Sequence, residues 1–317
     1  MALFRPNARL IVDGQALSAD EAGLAWLRVQ LSFDGTHDRA MLGLWPASHL
    51  ADATPGARID ISLGQRDEEE PVFGGQISAR TRQPGAVVLE ALAATVALSR
   101  SNRSQAFRNQ SVADIVRDLA GSASVDEVQG TLKLPAYHVD NRRPVWRHLQ
   151  DLARLVGADL GSAADGGLRF VPAAGPGQVL QLHHGADLLD WRLAQGESAE
   201  PADVAAVGAA SESGDARWHW LRHDPVGAGA GATRLPAALA TRDGAQAVAD
   251  SLAARARRAR VSGELVLQGQ PALRPGQVVE LVDLPGGSPG KLRARAVEHT
   301  LDGSSGFLTR LQVEASS

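Results

Sequence analysis

The sequence predicts a mainly β protein with an α+β insert, and three observations predict it. The first hundred residues alternate apolar and polar with a period of two. From residue 99 the apolar spacing becomes helical, and a hairpin follows. Beyond residue 178 alternation returns and, one helix apart, continues to the end. Three regions result: β over 1–98, an insert with two helices and a hairpin over 99–177, and β over 178–317 with a helix near 242–259. Strands are free to exchange between the outer regions.

In the first region, Ala8-Arg9-Leu10-Ile11-Val12 runs into Asp13-Gly14, a hairpin signal, and returns through Gln15-Ala16-Leu17. Leu27, Val29, Leu31 and Phe33 then share one strand face. Further strands are expected over 39–45, 57–64, 72–82 and 86–95, parted by Thr54-Pro55-Gly56 and Gln83-Pro84-Gly85. Short strands at this spacing build a barrel or a sandwich.

In the insert, Ser111 followed by Asp114 resembles a capping box with Asp in place of Glu or Gln. Val112, Ile115, Val116 and Leu119 follow at helical spacing up to Gly121. A second helix opens at Pro144, a suitable first-turn residue, turns Trp146, Leu149, Leu152, Ala153 and Val156 inward and stops at Gly157. The two helices are expected to pack together. Asp165-Gly166-Gly167 turns a hairpin whose return strand is Leu168-Arg169-Phe170-Val171.

In the last region strands are expected over 178–183 and 217–222, and 227–231 is a glycine-alanine stretch. Thr241 is placed to cap the helix over 242–259, whose arginines 255, 257, 258 and 260 lie near its C-terminal end, where cations complement the dipole. Closing strands are expected near 263–269, 277–283, 291–299 and 306–314.

Composition removes several kinds of chemistry. The 317 residues include no cysteine, so disulfides, thiolate metal sites and thiol nucleophiles are excluded. The net charge of -4 gives no electrostatic footprint for nucleic acid, and with 4% aromatic residues few stacking platforms exist. The first residues do not read as a secretory signal, and no apolar run has the length of a membrane span. Synthesis in the cytoplasm without membrane insertion is the expectation.

Candidate catalytic patterns fail on their own terms. Gly286-Gly287-Ser288-Pro289-Gly290 matches a nucleophile elbow, but Pro289 has no N–H for an oxyanion hole and a strand follows where a helix is needed. Gly290-Lys291 is not a phosphate loop, because Leu292 replaces the hydroxyl residue that binds magnesium. Gly227, Gly229 and Gly231 lack the strand–turn–helix context of a dinucleotide site. His219 and His223 would share a strand face, yet at roughly 3.3 Å per residue they stand too far apart to chelate readily. The adjacent His183 and His184 are read as surface or interface histidines. Asp67-Glu68-Glu69-Glu70 reads as a solvated acidic loop tip before Pro71. No catalytic, cofactor or metal residue is therefore assigned. Neither Ser288 nor His299 sits in a catalytic arrangement, so exchanging either for alanine is expected to leave assembly nearly intact.

Several segments in order carry a resemblance. Phe73-Gly74-Gly75-Gln76-Ile77, then Ser111-Val112-Ala113-Asp114-Ile115-Val116, then Tyr137 through Leu155 as a helix with Gly157 and Gly167-Leu168-Arg169-Phe170 form the first part. Gly269-Gln270-Pro271-Ala272-Leu273-Arg274-Pro275-Gly276, Val297-Glu298-His299 and Gly306-Phe307-Leu308-Thr309 complete it. The series resembles the baseplate hub, or late-control, family of contractile phage tails, whose module also opens the spike proteins of type VI secretion and occurs in other contractile injection systems. Val139-Asp140-Asn141-Arg142-Arg143 departs from that family's aromatic and acidic residues, and no spike barrel follows the last strand.

The resemblance implies two related β-barrel domains, 1–98 and 178–317, separated by the helix-containing insert 99–177. It implies a trimeric ring adapting a sixfold tail tube to a threefold spike carried by a separate protein. The partners would be the tube protein, that spike and other baseplate proteins, within an assembled tail or virion, with no enzymatic activity. The alternative from another class is a baseplate-associated protein that degrades cell wall or binds polysaccharide.

Overall fold

Alternating strands that bury one face need a second layer or a sheet that curls over itself, and the arrangement of this chain follows from that need. The structure is a computed structural model that describes residues 6–65, 68–173, 179–197, 204–205, 207–211, 218–222, 233–234 and 242–316. The first region holds β1 (Pro6–Val12), β2 (Gln15–Ser18), β3 (Leu24–Ser32), β4 (Arg39–Leu44), β5 (Arg58–Gln65), β6 (Glu68–Gln83) and β7 (Ala86–Ala93). The insert holds α1 (Val96–Ser99), β8 (Gln105–Ser111), α2 (Val112–Ala120), β9 (Val125–Val128), β10 (Lys133–Val139), α3 (Val145–Val156), β11 (Ala158–Ser162) and β12 (Leu168–Pro172). The last region runs through β13 (Val179–His183), β14 (Leu188–Gln195), β15 (Val204–Ala205), β16 (Val207–Ser211), β17 (Trp218–Arg222) and β18 (Thr233–Arg234). It closes with α4 (Arg242–Arg258), β19 (Val261–Gln268), β20 (Val278–Val282), β21 (Lys291–Asp302) and β22 (Gly306–Ala315).

A single 13-stranded sheet joins both outer regions, in the order β14-β19-β22-β21-β3-β4-β7-β6-β5-β1-β2, with β20 and β13 branching from β21. Its buried side chains form one cluster, with Leu10, Leu42, Ile61 and Leu89 from the first region and Leu265, Leu281, Leu292 and Leu311 from the last. A second cluster belongs to the insert and gathers Phe107, Ile115, Leu119, Trp146, Leu149, Leu152 and Phe170. Val248 of α4 is buried in this second cluster, so that helix leans on the insert although it lies between strands of the last region.

Capping places the helices as expected. The Ser111 hydroxyl accepts the Asp114 N–H, and Gly121 ends α2 at a φ of 60°. Gly157 ends α3 in the left-handed region. Pro144 is the residue before α3 and not its first turn, and is itself extended. Trp146 is buried and donates its Nε1–H to the Gly35 carbonyl at 2.8 Å, tying the insert to the first region.

Two local readings change. Glu68, Glu69 and Glu70 are no loop tip: they open β6 and pair with Gln65, Gly64 and Leu63, so backbone pairing on a neighbouring strand overrides their poor strand propensity. Residues 137–139 are strand, not the start of a helix, because Lys133–Val139 pairs with Gln105–Ser111. Asp67, His223, Thr241 and residues 227–231 lie outside the described residues.

The two outer regions repeat one plan. Taken in chain order, β3, β4, β5, β6 and β7 pair as β3-β4-β7-β6-β5, and β14, β19, β20, β21 and β22 pair as β14-β19-β22-β21-β20, every neighbouring pair antiparallel. Irregularities coincide too. The first strand of each set bulges at its second residue, between Leu24 and Trp26 and between Leu188 and Asp190. The long strand bulges between Ile77 and Ala79 in one and between Ala294 and Ala296 in the other. Just before each bulge lies the same pair of bonds: Gly56 N–H to Ile77 C=O with Ile77 N–H to Ala57 C=O, and Gly276 N–H to Ala294 C=O with Ala294 N–H to Gln277 C=O. Leu42 opposite Leu89 thereby corresponds to Leu265 opposite Leu311. The units differ where β5 pairs with β6 over a longer ladder, with a bulge between Ile61 and Ser62 that the β20–β21 ladder lacks, and in their flanks, since β1 joins β5 antiparallel whereas β13 joins β20 parallel.

Candidate functional site

The residues weighed for chemistry are scattered. Ser288 stands in a turn, its hydroxyl accepting the Gly290 N–H at 3.2 Å. His183 Nδ1 lies 3.0 Å from Asp283 on exposed surface, and His184 continues the same segment. His219 pairs with Ala210 on a strand, as expected. Among the described residues no group of three or more His, Cys, Asp or Glu gathers at metal-binding distance. No described helix is long and apolar enough to cross a membrane.

The buried ionisable groups serve the architecture. His299 is fully buried, its Nδ1 lies 3.0 Å from the Thr309 hydroxyl, and desolvation pushes its pKa down to about 3, with the Arg274 charge adding to it. Asp38 accepts the Ser32 N–H at 2.9 Å, and burial pushes its carboxyl up to about 7. Where the insert, α4 and the last strands meet, Asp159 of β11 pairs with Arg293 of β21. Glu314 of β22 there receives Arg293 at 2.9 Å and Arg258 of α4 at 3.2 Å. Burial raises the Asp159 pKa to about 6 against the pull of both arginines. Such a buried network fixes one relative placement of its three parts, because leaving any member unpaired is costly. It walls a cavity of about 540 Å³ that also touches Phe33, Gln150 and Arg295.

What the sheet does expose is backbone. Beyond Leu188, which bridges to His184, the outer edge of β14 carries no described strand partner, since Asp190 to Gln195 pair only with β19. Leu189 at its bulge is 55% exposed. The far half of β6 is another open edge, besides those of β2 and β13, which each pair with one described strand. β5 covers Glu68 to Gln76 on one side and β7 covers Gly75 to Gln83 on the other, so the β5 side of Ala79 to Gln83 has no described strand beside it. Arg80, Thr81, Arg82 and Gln83 are exposed there. The sequence could not reveal these edges, because alternation shows which face is buried and not which neighbour a strand lacks.

No protein-family model matches the sequence, and no curated protein matches it either. Solved structures do. A tail protein from Neisseria meningitidis is similar with a TM-score of 0.71 at 14% identity, over 98% of this chain and 96% of that one. The 43 kDa tail protein of prophage MuSo2 from Shewanella oneidensis is similar with a TM-score of 0.68 at 14% identity, over 97% and 98% of the two chains. An Escherichia coli component of the type VI secretion system, itself structurally similar to the T4 bacteriophage tail proteins gp27 and gp5, has a TM-score of 0.62 at 11% identity, over 97% of this chain and 77% of that one. The chain therefore has the β-rich fold of these tail proteins, which is the fold that the sequence resemblance implied.

Proposed function

We propose that this chain is a structural hub of a contractile phage tail or a tail-like injection machine. In this reading three copies form a ring that joins a sixfold tail tube to a threefold spike. The repeated strand plan carries the proposal: two units of one order and one bulge pattern in each chain give a threefold ring six similar units. The domains of that assembly are 1–98 and 178–317 as the two barrels and 99–177 as the insert between them. The protein is made in the cytoplasm and acts within the assembled tail, binding tube, spike and other baseplate proteins, with no reaction of its own.

Native mass measurement of the purified protein, alone and mixed with its tube and spike neighbours, tests this. A trimer, completed if needed by the spike, is expected. A strictly monomeric mass in the presence of the spike protein overturns the hub.

A further inference from the structure

Within one chain the two units are joined by strand pairing, and the same join is left open once. β22 occupies one edge of β21 from end to end. The other edge is shared: β20 takes Lys291 to Arg293, and beyond the bulge β3 takes Ala296 to Asp302. β3, the first strand of one unit, thus docks on the long strand of the other.

The counterpart of that long strand is β6, and the counterpart of β3 is β14. Both counterparts have, among the described residues, an unpaired edge at the corresponding place. The Gly56 bonds stop β5 at the position where the Gly276 bonds stop β20, so the room beyond the bulge is laid out alike. We propose that β14 of one copy pairs antiparallel with the far half of β6 in a second copy of this chain. This deepens the hub reading and rests on it.

The register follows from the correspondence. Ala296 pairs with Ser32, Val297 with Leu31, Glu298 with Gln30 and His299 with Val29. Transferred through the two bulges, Ala79 faces Gly196 of the next copy, Arg80 faces Gln195, Thr81 faces Ala194 and Arg82 faces Leu193. Side chains fit a join made between separate molecules. Positions filled inside one chain by Val297, His299 and Leu31 are here Arg80, Arg82 and Gln195, and charged or polar residues keep an open edge soluble before its partner arrives. Asp52 pairs with Arg82 and lies 3.9 Å from Arg80, compensating their charge beside the edge. Main-chain bonds, which tolerate this change of side chains, make the join. Each copy offers one β14 edge and one β6 edge, a head-to-tail contact that must close on itself or continue as a filament.

Because the chain has no cysteine, engineered pairs report this contact cleanly. Thr81 and Ala194 are both exposed, so the full-length double variant Thr81→Cys/Ala194→Cys folds without disturbing the core. Opposed residues on paired strands stand roughly 4.5–5.5 Å apart between Cβ atoms, within reach of a short bis-maleimide and, at the near end with a small backbone shift, of a disulfide. Oxidation of the variant, alone and mixed with its tube and spike neighbours, is expected to give covalent dimers and trimers of this chain with nothing larger. The one-residue slip Thr81→Cys/Leu193→Cys, with its second cysteine on the opposite face, is expected to give at least tenfold less. Monomer alone, an open ladder beyond trimer, or equal yields at both pairs overturns the proposal. A sheet edge filled only by another protein also leaves monomer alone, and so overturns it. The native mass of the parent chain separates the two readings: a trimer without the Thr81–Ala194 link leaves the hub standing and removes this contact.

Discussion

Trp146 shows how far a single side chain reaches in this molecule. It fills the insert's core, packs against His37 at a centroid distance of 4.4 Å with the rings tilted by 37° and bonds the Gly35 carbonyl. Trp146→Ala is expected to cost about 3–5 kcal/mol, read as a lower denaturant midpoint. His299 contributes packing and not chemistry. Its ring is buried against Thr309, so His299→Ala should remove about 2 kcal/mol of stability, whereas Ser288→Ala on an exposed turn stays within about 0.5 kcal/mol in the same melt. Asp38 gives a pH signature. Its carboxyl is raised from 3.8 to about 7, so the folded chain holds that proton more tightly than the unfolded chain does. Its contribution therefore falls as pH rises through that window and stays unfavourable above it, by up to about 1.4 kcal/mol per pH unit. Asp38→Asn keeps an acceptor for the Ser32 N–H and is expected to flatten this slope and to be the more stable form at pH 8. Urea melts from pH 4 to 8 read both effects, and an unchanged slope would place the titration elsewhere.

At the scale of elements, the turns before β5 and β20 make the repeat physical. Gly56 and Gly276 adopt φ values of 99° and 91°, which a side chain resists. Alanine at either site should cost about 1 kcal/mol from the backbone alone. Gly276→Ala should cost more, since its new Cβ would stand 3.0 Å from the Phe33 ring while Gly56 has open space around it. Thermal melts of the two variants check the order, and a larger loss at Gly56 would show that the turns are not equivalent. Strand legibility followed burial. β7 alternates strictly in the structure and is plain in the sequence, whereas β8 buries only Phe107 fully among polar neighbours and gives no signal. Polar Glu68 to Glu70 failed for a related reason, since β5 and not their own side chains makes them a strand.

For the molecule as a whole, one sheet runs through both units, so the outer regions should unfold as a single cooperative body. The insert, with its own core, is anchored to that body by Trp146 and by the Asp159–Arg293 pair. Asp159→Ala leaves Arg293 buried beside Arg258 with only Glu314 to share and is expected to cost about 3 kcal/mol. Hydrogen exchange should show that loss first as weaker protection in β11 and α4. Unchanged protection there would mean that the network does not hold the three parts.

The sequence by itself determined the fold class, the order of β, α+β and β regions, the caps at Ser111, Gly121 and Gly157 and the inward face of α3. Each is a local property, written in spacing and turn chemistry within a few residues. Only the tertiary structure decided that β3 docks on β21, that Asp159 meets Arg293 across 134 positions of sequence, and that the two outer units share a strand order and bulges without a visible sequence repeat. Strand neighbours are chosen by backbone hydrogen bonds, which every residue but proline offers alike, so side-chain pattern marks a strand's buried face and leaves its partner to the folded chain.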